Sequence, residues 1–293
     1  MDGIVAIIGF GEAARAFVPG WRARATMLSS YGIKLDRADS RSAMLDAMAQ
    51  HGVAPAGDLA EAVSGASQLF SLVTADQALP VATAAAASIS TGALWFDMNS
   101  VAPDTKRAAA SAIEAAGGRY VDVAVMAPVD PAGVAVPLLA SGPHAATGAA
   151  ALAAIGFASV RVIPGDVGRA SSIKMIRSVM VKGIEALTAE CVLAAEQAGV
   201  LDEVIGSLDA SWPGADWRRR ADYNLDRMLI HGTRRAAEMD EVVETLDALG
   251  TGSAMSRGTV ERQRALGGLG MAPPATLVEK LQRLLGRQRS DAA

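Results

Sequence analysis

The chain has 293 residues, 51% of them apolar and 20% charged, with a net charge of −4. That balance excludes a disordered chain, and its sign argues against nucleic-acid binding as the main task. A single cysteine, Cys191, excludes an intrachain disulfide and suits a reducing cytoplasm, and no charge-free apolar run is long enough to suggest a membrane span.

The first stretch, Ile4-Val5-Ala6-Ile7-Ile8, is apolar, too short for an ordinary helix, and runs directly into Gly9-Phe10-Gly11-Glu12-Ala13-Ala14. Asp2 replaces the basic start of a signal peptide, so the run reads as a buried strand. A strand, a Gly-x-Gly-x-x-Ala turn and a helix start form the order of a dinucleotide fingerprint. Gly9 makes the turn, Gly11 lets backbone approach a pyrophosphate, and Phe10, Glu12 and Ala13 complete the candidate cofactor loop. Helix is expected from Glu12 to about Arg24. A second strand is expected near Gly32-Ile33-Lys34-Leu35, ending at Asp36, whose carboxylate is placed to accept ribose hydroxyls. Arg37 and Arg41 follow and offer an alternative, a 2′-phosphate site. NAD and NADP therefore both stay open, with Asp36 favouring NAD.

Asp58 is an expected N-cap for a short helix. Strands are expected at Gln68–Thr74 and Ala93–Asp97, with helices at Ala78–Ser88 and Pro103–Ala116. Alternating strand and helix over this length predicts a doubly wound parallel sheet. Ligands gather at the carboxyl ends of such strands, which nominates Val73, Thr74, Asn99 and Ser100. Shorter strands are expected at Tyr120–Val125, Val134–Ala140 and Ser159–Val162, around a helix from Pro143 to Ile155. The remainder reads as helix throughout, so the sequence divides near residue 164: a Rossmann domain over 1–164 and an all-helical domain over 165–293.

The second domain opens on Gly165-Asp166-Val167-Gly168, expected to start a helix running to Ala198, roughly 50 Å at 1.5 Å per residue. Ile173, Ile176, Met180, Ile184 and Leu187 form an apolar stripe at helical spacing. Lys174, Arg177 and Ser178 share another face. Only five of the 27 basic residues are lysines, Lys34, Lys106, Lys174, Lys182 and Lys280. Lys174, between isoleucine and methionine, is either a snorkelling surface lysine or a cleft ammonium able to move a proton. Cys191, in Ala189-Glu190-Cys191-Val192-Leu193, reads as a half-buried packed thiol.

These pieces together resemble the β-hydroxyacid dehydrogenases, the superfamily of 6-phosphogluconate and 3-hydroxyisobutyrate dehydrogenases, over essentially the whole chain. The matching segments are Ile8-Gly9-Phe10-Gly11, Leu72-Val73-Thr74, Phe96-Asp97-Met98-Asn99-Ser100 with Pro103, and Gly165-x-x-Gly168-x-x-x-x-x-Lys174. The resemblance implies that Lys174 is the catalytic general acid/base, that Asn99 and Ser100 line the substrate site, and that a nicotinamide dinucleotide is the cofactor. It also implies a homodimer. Two departures stand out. The family's asparagines three and four residues after the lysine are Arg177 and Ser178 here. Its Asp-Ala-Pro-Val-Ser-Gly-Gly loop is Asp122-Val123-Ala124-Val125-Met126-Ala127-Pro128, with Met126 at the substrate position. The pattern looks most like a less-characterised, phosphogluconate-dehydrogenase-like branch.

His231, Arg234, Arg235 and Glu238 fall on one helical face and make either a solvated charged surface or an anion clamp for an acidic substrate. Arg218-Arg219-Arg220 beside Trp212 and Trp217 reads as a solvated or subunit-facing helix, not a nucleic-acid site. No metal-ligand constellation is present in the sequence. The expected activity is hydride transfer on a small acidic hydroxy or carbonyl substrate. Imine reduction, oxidative decarboxylation and a catalytically silent dinucleotide-binding regulator are the alternatives.

Overall fold

The computed structural model describes residues 4–25 and 27–291, with side chains to residue 286. Asp2 and the side chains of the polar tail from Arg287 lie outside them. The chain divides into two compact units, Met1–Met175 and Ile176–Ala293.

The first unit contains β1 (Ile4–Ile8), α1 (Glu12–Trp21), β2 (Met27–Tyr31), α2 (Arg41–His51), β3 (Ala54–Pro55), α3 (Leu59–Val63), β4 (Ala66–Ser71) and α4 (Ala78–Ala86). It continues with β5 (Leu94–Asp97), α5 (Pro103–Ala115), β6 (Arg119–Val125), β7 (Leu138–Ser141), α6 (Ala145–Ile155), β8 (Val160–Val162) and the start of α7 (Arg169–Ala198). The strands make one eight-stranded sheet in the order β3-β2-β1-β4-β5-β6-β7-β8. Every pairing is parallel except β6 with β7, which is antiparallel.

Strand alternation sorts the apolar residues to two faces. Val5, Ile7, Phe70, Phe96 and Val121 meet α1, α2 and α6 through Phe17, Trp21, Met48 and Leu152. Ala6, Ile8, Leu69, Trp95 and Tyr120 meet α3, α4 and α5 through Val63, Ala82, Ala85, Ala109 and Ile113. Burial on both sides is why these strands read as continuous apolar runs. The first face is dense in rings: Trp21 lies 4.5 Å from Phe70, which stacks on Phe96 at 4.8 Å between centroids. Asp58 caps α3 as expected, accepting from the Glu61 N–H at 2.8 Å.

Three expected boundaries move. The second strand is Met27–Tyr31, whereas Ile33–Leu35 form a 3-10 turn. Ser29 and Ser30 disguise that strand, and the Ser30 hydroxyl is absorbed by the Ile7 carbonyl at 2.9 Å. The strand expected at Val134–Ala140 starts only at Leu138, because Pro137 lacks a ladder N–H and residues 133–135 form a 3-10 turn. The long helix starts at Arg169, not in the Gly165 turn. Gly165 and Gly168 have φ of +119° and +98°, outside the helical region.

The first turns of α7 stay with the first unit because Ala170 packs with Ala124, Leu139 and Ile163, and Ile173 leans on the same cluster. The second unit comprises the rest of α7, α8 (Leu201–Ser211), α9 (Trp217–Ala248), α10 (Ala254–Gly267) and α11 (Leu277–Asp291). Its core joins Ala189, Val192, Leu225, Met228, Leu281 and Leu284. Helices α9 and α10 touch backbone to backbone, since a Cβ on Gly267 would stand 2.3 Å from the Thr233 nitrogen.

Candidate active site

The site grows from the carboxyl ends of β1, β4 and β5. Gly9 follows β1 with φ +93°, and a Cβ there would lie 2.5 Å from the Leu72 carbonyl oxygen, so only glycine fits. Gly11 caps α1, and a Cβ added to it would find nothing within 4 Å. That open space before a helix N-terminus suits a phosphate. Ala14 behind it is fully buried and lets α1 sit close on the sheet. Phe10 is only 2% exposed; its ring faces His51 edge-on at 5.7 Å, so it can serve a dinucleotide through backbone alone. Glu12 is exposed and Ala13 half-buried in the first turn of α1. A dinucleotide therefore fits these residues at the pyrophosphate.

Asp36 is not at the end of β2. It follows the 3-10 turn, and its carboxylate accepts the Tyr31 hydroxyl at 2.5 Å. Burial, this hydrogen bond and the charges of Asp36 and Asp58 push the Tyr31 phenol up to about 12.

Asn99 is committed to the protein. Its Nδ2 donates to Ser71 Oγ and Asp97 Oδ1, both at 2.9 Å, and its Oδ1 accepts from the Val73 N–H at 2.7 Å. The expected substrate contact is thus a brace joining the loops after β4 and β5. It orients half-buried Val73 and, beyond it, exposed Thr74. Ser100, next along, is half-buried, and Lys174 Nζ donates to its Oγ at 2.5 Å. The structure thereby joins two candidate residues 74 positions apart in sequence.

Beneath this pair lies a buried polar network that sequence reading missed. Lys106 is fully buried, and its Nζ donates to the Asp97 carbonyl at 2.7 Å and to Asp97 Oδ1 at 2.8 Å. Tyr120 donates to Asp97 Oδ2 at 2.6 Å; burial, then the Asp97 charge, holds its phenol well above the usual range. Asp122 Oδ1 lies 3.6 Å from Lys106, while its Oδ2 accepts from Ser141 Oγ at 2.9 Å, Gly168 N–H at 3.0 Å, and Ser171 N–H and Oγ at 3.2 Å. Asp97 therefore fixes the loop carrying Ser100, and Asp122 fixes the turn that starts α7 and carries Lys174. The available signal was an acid at the end of one apolar strand and another in the middle of the next, with a rare lysine in the helix between them. Met126 packs beside Ile173 on the small apolar cluster under α7.

In the second unit the expected apolar stripe faces outward. Ile176, Met180 and Leu187 are 49%, 64% and 55% exposed, whereas Ser178, Lys182 and Glu185 are buried. Polar residues turn inward because partners wait there. Lys182 donates to Glu238 at 2.7 Å, and Arg235 pairs with Glu185, which also accepts from Gln263 at 2.9 Å. Desolvation lowers the Lys182 pKa, with Glu238 opposing.

The expected clamp is thereby divided. Arg235 is buried and neutralised, Arg234 pairs with Glu238 at 2.8 Å, and His231 is half-buried. Arg177 is exposed. Cys191 is exposed rather than half-buried, since the inward side of α7 at this level is taken by Ala189, Val192 and Leu193. Among the described residues no group of acids, histidines or cysteines could hold a metal, and no helix is long and apolar enough to cross a membrane.

Residues 22–158 match the family described as the NAD binding domain of 6-phosphogluconate dehydrogenase, and residues 195–266 match a domain of unknown function (DUF1932). No curated protein matches the sequence. Among solved structures, a conserved hypothetical protein from Sinorhizobium meliloti is 38% identical over 97% of both chains, with a TM-score of 0.74. A conserved protein of unknown function, described as similar to 3-hydroxyacid dehydrogenases, is 28% identical over 92% of this chain and 100% of its own, with a TM-score of 0.68. A Mycobacterium tuberculosis 3-hydroxyisobutyrate dehydrogenase shares the fold at 15% identity, over 97% of this chain and 99% of its own, with a TM-score of 0.74. With a Rossmann domain matched by family, a glycine turn shaped for a pyrophosphate and a relative aligned end to end, the chain belongs to the β-hydroxyacid dehydrogenase superfamily.

Proposed function

We propose that this chain is an NAD(P)-dependent dehydrogenase or reductase acting on a small, acidic hydroxy or carbonyl substrate, with Lys174 as its general acid/base. The observation carrying this reading is the hydrogen bond from Lys174 Nζ to Ser100 Oγ at the carboxyl end of the sheet. A bound nicotinamide supplies the hydride acceptor or donor. Oxidation of an alcohol also requires its O–H proton to leave; the amine form of Lys174 takes that proton, and in reduction the ammonium returns it to the developing alkoxide. Ser100 shares the lysine's hydrogen bond and holds the substrate oxygen beside it. Asn99 keeps the Ser100 loop in place, and Met126 contributes an apolar wall. Arg177, exposed and one helical turn past Lys174 on the same helix, supplies charge for an acidic substrate. Ser178 is buried and Arg234 is paired with Glu238, so neither is given a role. Arg235 is left out, because Glu185 already neutralises it.

Lys174→Ala tests the assignment. Turnover on a small hydroxy acid found by screening should fall by roughly 10²–10⁴-fold, the usual contribution of a positioned acid/base. Dinucleotide affinity, read by thermal shift, should stay within about twofold, far below the tenfold that corresponds to about 1.4 kcal/mol. Unchanged turnover would remove Lys174 from the mechanism.

A homodimer is part of this reading. The outward stripe of Ile176, Met180 and Leu187 on α7 gives a second copy an apolar surface to cover. The single, exposed thiol of Cys191 suits a cytoplasmic protein.

A further inference from the structure

We propose that the turn after β2 selects the 2′-phosphorylated dinucleotide, NADP, over NAD, with Gly32 leaving the space and Lys34 and Arg37 supplying the charge. The proposal rests on the dinucleotide reading above and names which cofactor that site prefers.

The discriminating position in this fold is the residue that leaves β2 beside the glycine turn. An acid there accepts the ribose hydroxyls of NAD and repels a phosphate at the same place. In this chain the register is fixed by two contacts. The Gly9 N–H donates to the Tyr31 carbonyl at 2.8 Å, and Tyr31 is the last residue of β2. A Cβ built on Gly32 would lie 3.6 Å from the Phe10 nitrogen and 3.7 Å from the Gly9 Cα. Any side chain at position 32 would therefore stand against the loop that faces the dinucleotide, and glycine places none there.

The nearest acid does not substitute. Asp36 arrives only after the 3-10 turn of Ile33–Leu35, and its carboxylate is held by the Tyr31 hydroxyl at 2.5 Å. Asp39 shares a hydrogen bond with the Ser40 hydroxyl at 3.1 Å. Asp58 is occupied as the cap of α3. Among the cations, Arg41 is turned back onto the Leu35 carbonyl at 2.5 Å, and Arg15 lies over the Phe10 ring at 5.7 Å. Lys34 and Arg37, both exposed, remain on the turn itself. A phosphate dianion entering beside Gly32 meets two exposed cations and no free carboxylate at the discriminating position. NAD, in contrast, lacks its usual acceptor there.

The test is fluorescence titration of the full chain with NADPH and with NADH, which reads binding without turnover. Wild type should bind NADPH at least tenfold more tightly. A Lys34→Ala/Arg37→Ala variant should lose about tenfold of NADPH affinity and leave NADH within twofold, removing most of the preference. Gly32→Asp should tighten NADH and weaken NADPH, and it is tolerable because Gly32 has extended backbone with φ −153° and ψ 143°. Equal or tighter NADH binding by wild type would overturn the proposal, as would equal losses for both dinucleotides in the double variant. Binding of neither by folded wild type would overturn the dinucleotide reading itself, and selectivity with it.

Discussion

Removing the Asp122 carboxylate tests whether the buried network holds Lys174, the proposed general acid/base, in place. Asp122 and Lys106 are both fully buried, and Asp122 accepts four hydrogen bonds from Ser141, Gly168 and Ser171. In Asp122→Ala the two hydroxyls can rotate to other acceptors, but the Gly168 and Ser171 N–H groups cannot. Each buried, unsatisfied N–H costs about 1–3 kcal/mol. Lys106 keeps Asp97 at 2.8 Å, yet loses its second counter-charge. Breaking a buried ion pair from one side costs about 3–5 kcal/mol, and because these losses overlap, the whole effect is expected in that range. This is a large part of the 5–15 kcal/mol, or roughly so, that stabilises a domain. Urea unfolding followed by the fluorescence of Trp21 and Trp95, both buried in the first unit, measures it. Asp122→Asn keeps the shape and should cost less, while turnover falls more than dinucleotide affinity because the Lys174-bearing turn loses its anchor. A shift below about 1 kcal/mol for Asp122→Ala would refute the reasoning, since two buried N–H donors without an acceptor and a buried lysine with one counter-charge fewer cost more than that.

Other perturbations address other parts of the molecule. Gly267→Ala places a methyl 2.3 Å from the Thr233 nitrogen, so the helix-propensity gain of about 1 kcal/mol is outweighed and thermal melting should report a loss of about 1–3 kcal/mol. Met180→Glu should convert dimer to monomer in size exclusion with light scattering; a wild type that is already monomeric, or a variant that stays dimeric, would count against the outward stripe as an interface. Phenolate absorbance should show a tyrosine step near pH 12 that vanishes in Tyr31→Phe. The sign follows from linkage: a phenol raised from 10.0 to about 12 favours the protonated fold, so its stabilisation is complete below pH 10 and fades as pH climbs toward 12.

Local chemistry was enough to read the glycine turn and the central strands. Gly9-Phe10-Gly11 announces a turn because glycine alone tolerates φ +93° against the Leu72 carbonyl. The central strands announce themselves because burial on both faces demands unbroken apolar runs. Lys174 and Ser100 could each be nominated from sequence, as could the order of strand and helix that makes the sheet. What periodicity could not supply was the direction of a side chain whose partner lies far along the chain. Spacing shows an apolar stripe on α7 but not which way it faces; Lys182 and Glu185 are inside because Glu238 and Arg235, some 50 positions away, neutralise them. Asn99 resembled a ligand-binding residue until Ser71 and Val73 took up its amide. A sequence fixes the hydrogen-bonding capacity of each residue. Only the fold decides who meets it, and in this protein that decision separates the residues left to work from those already spent on holding the site together.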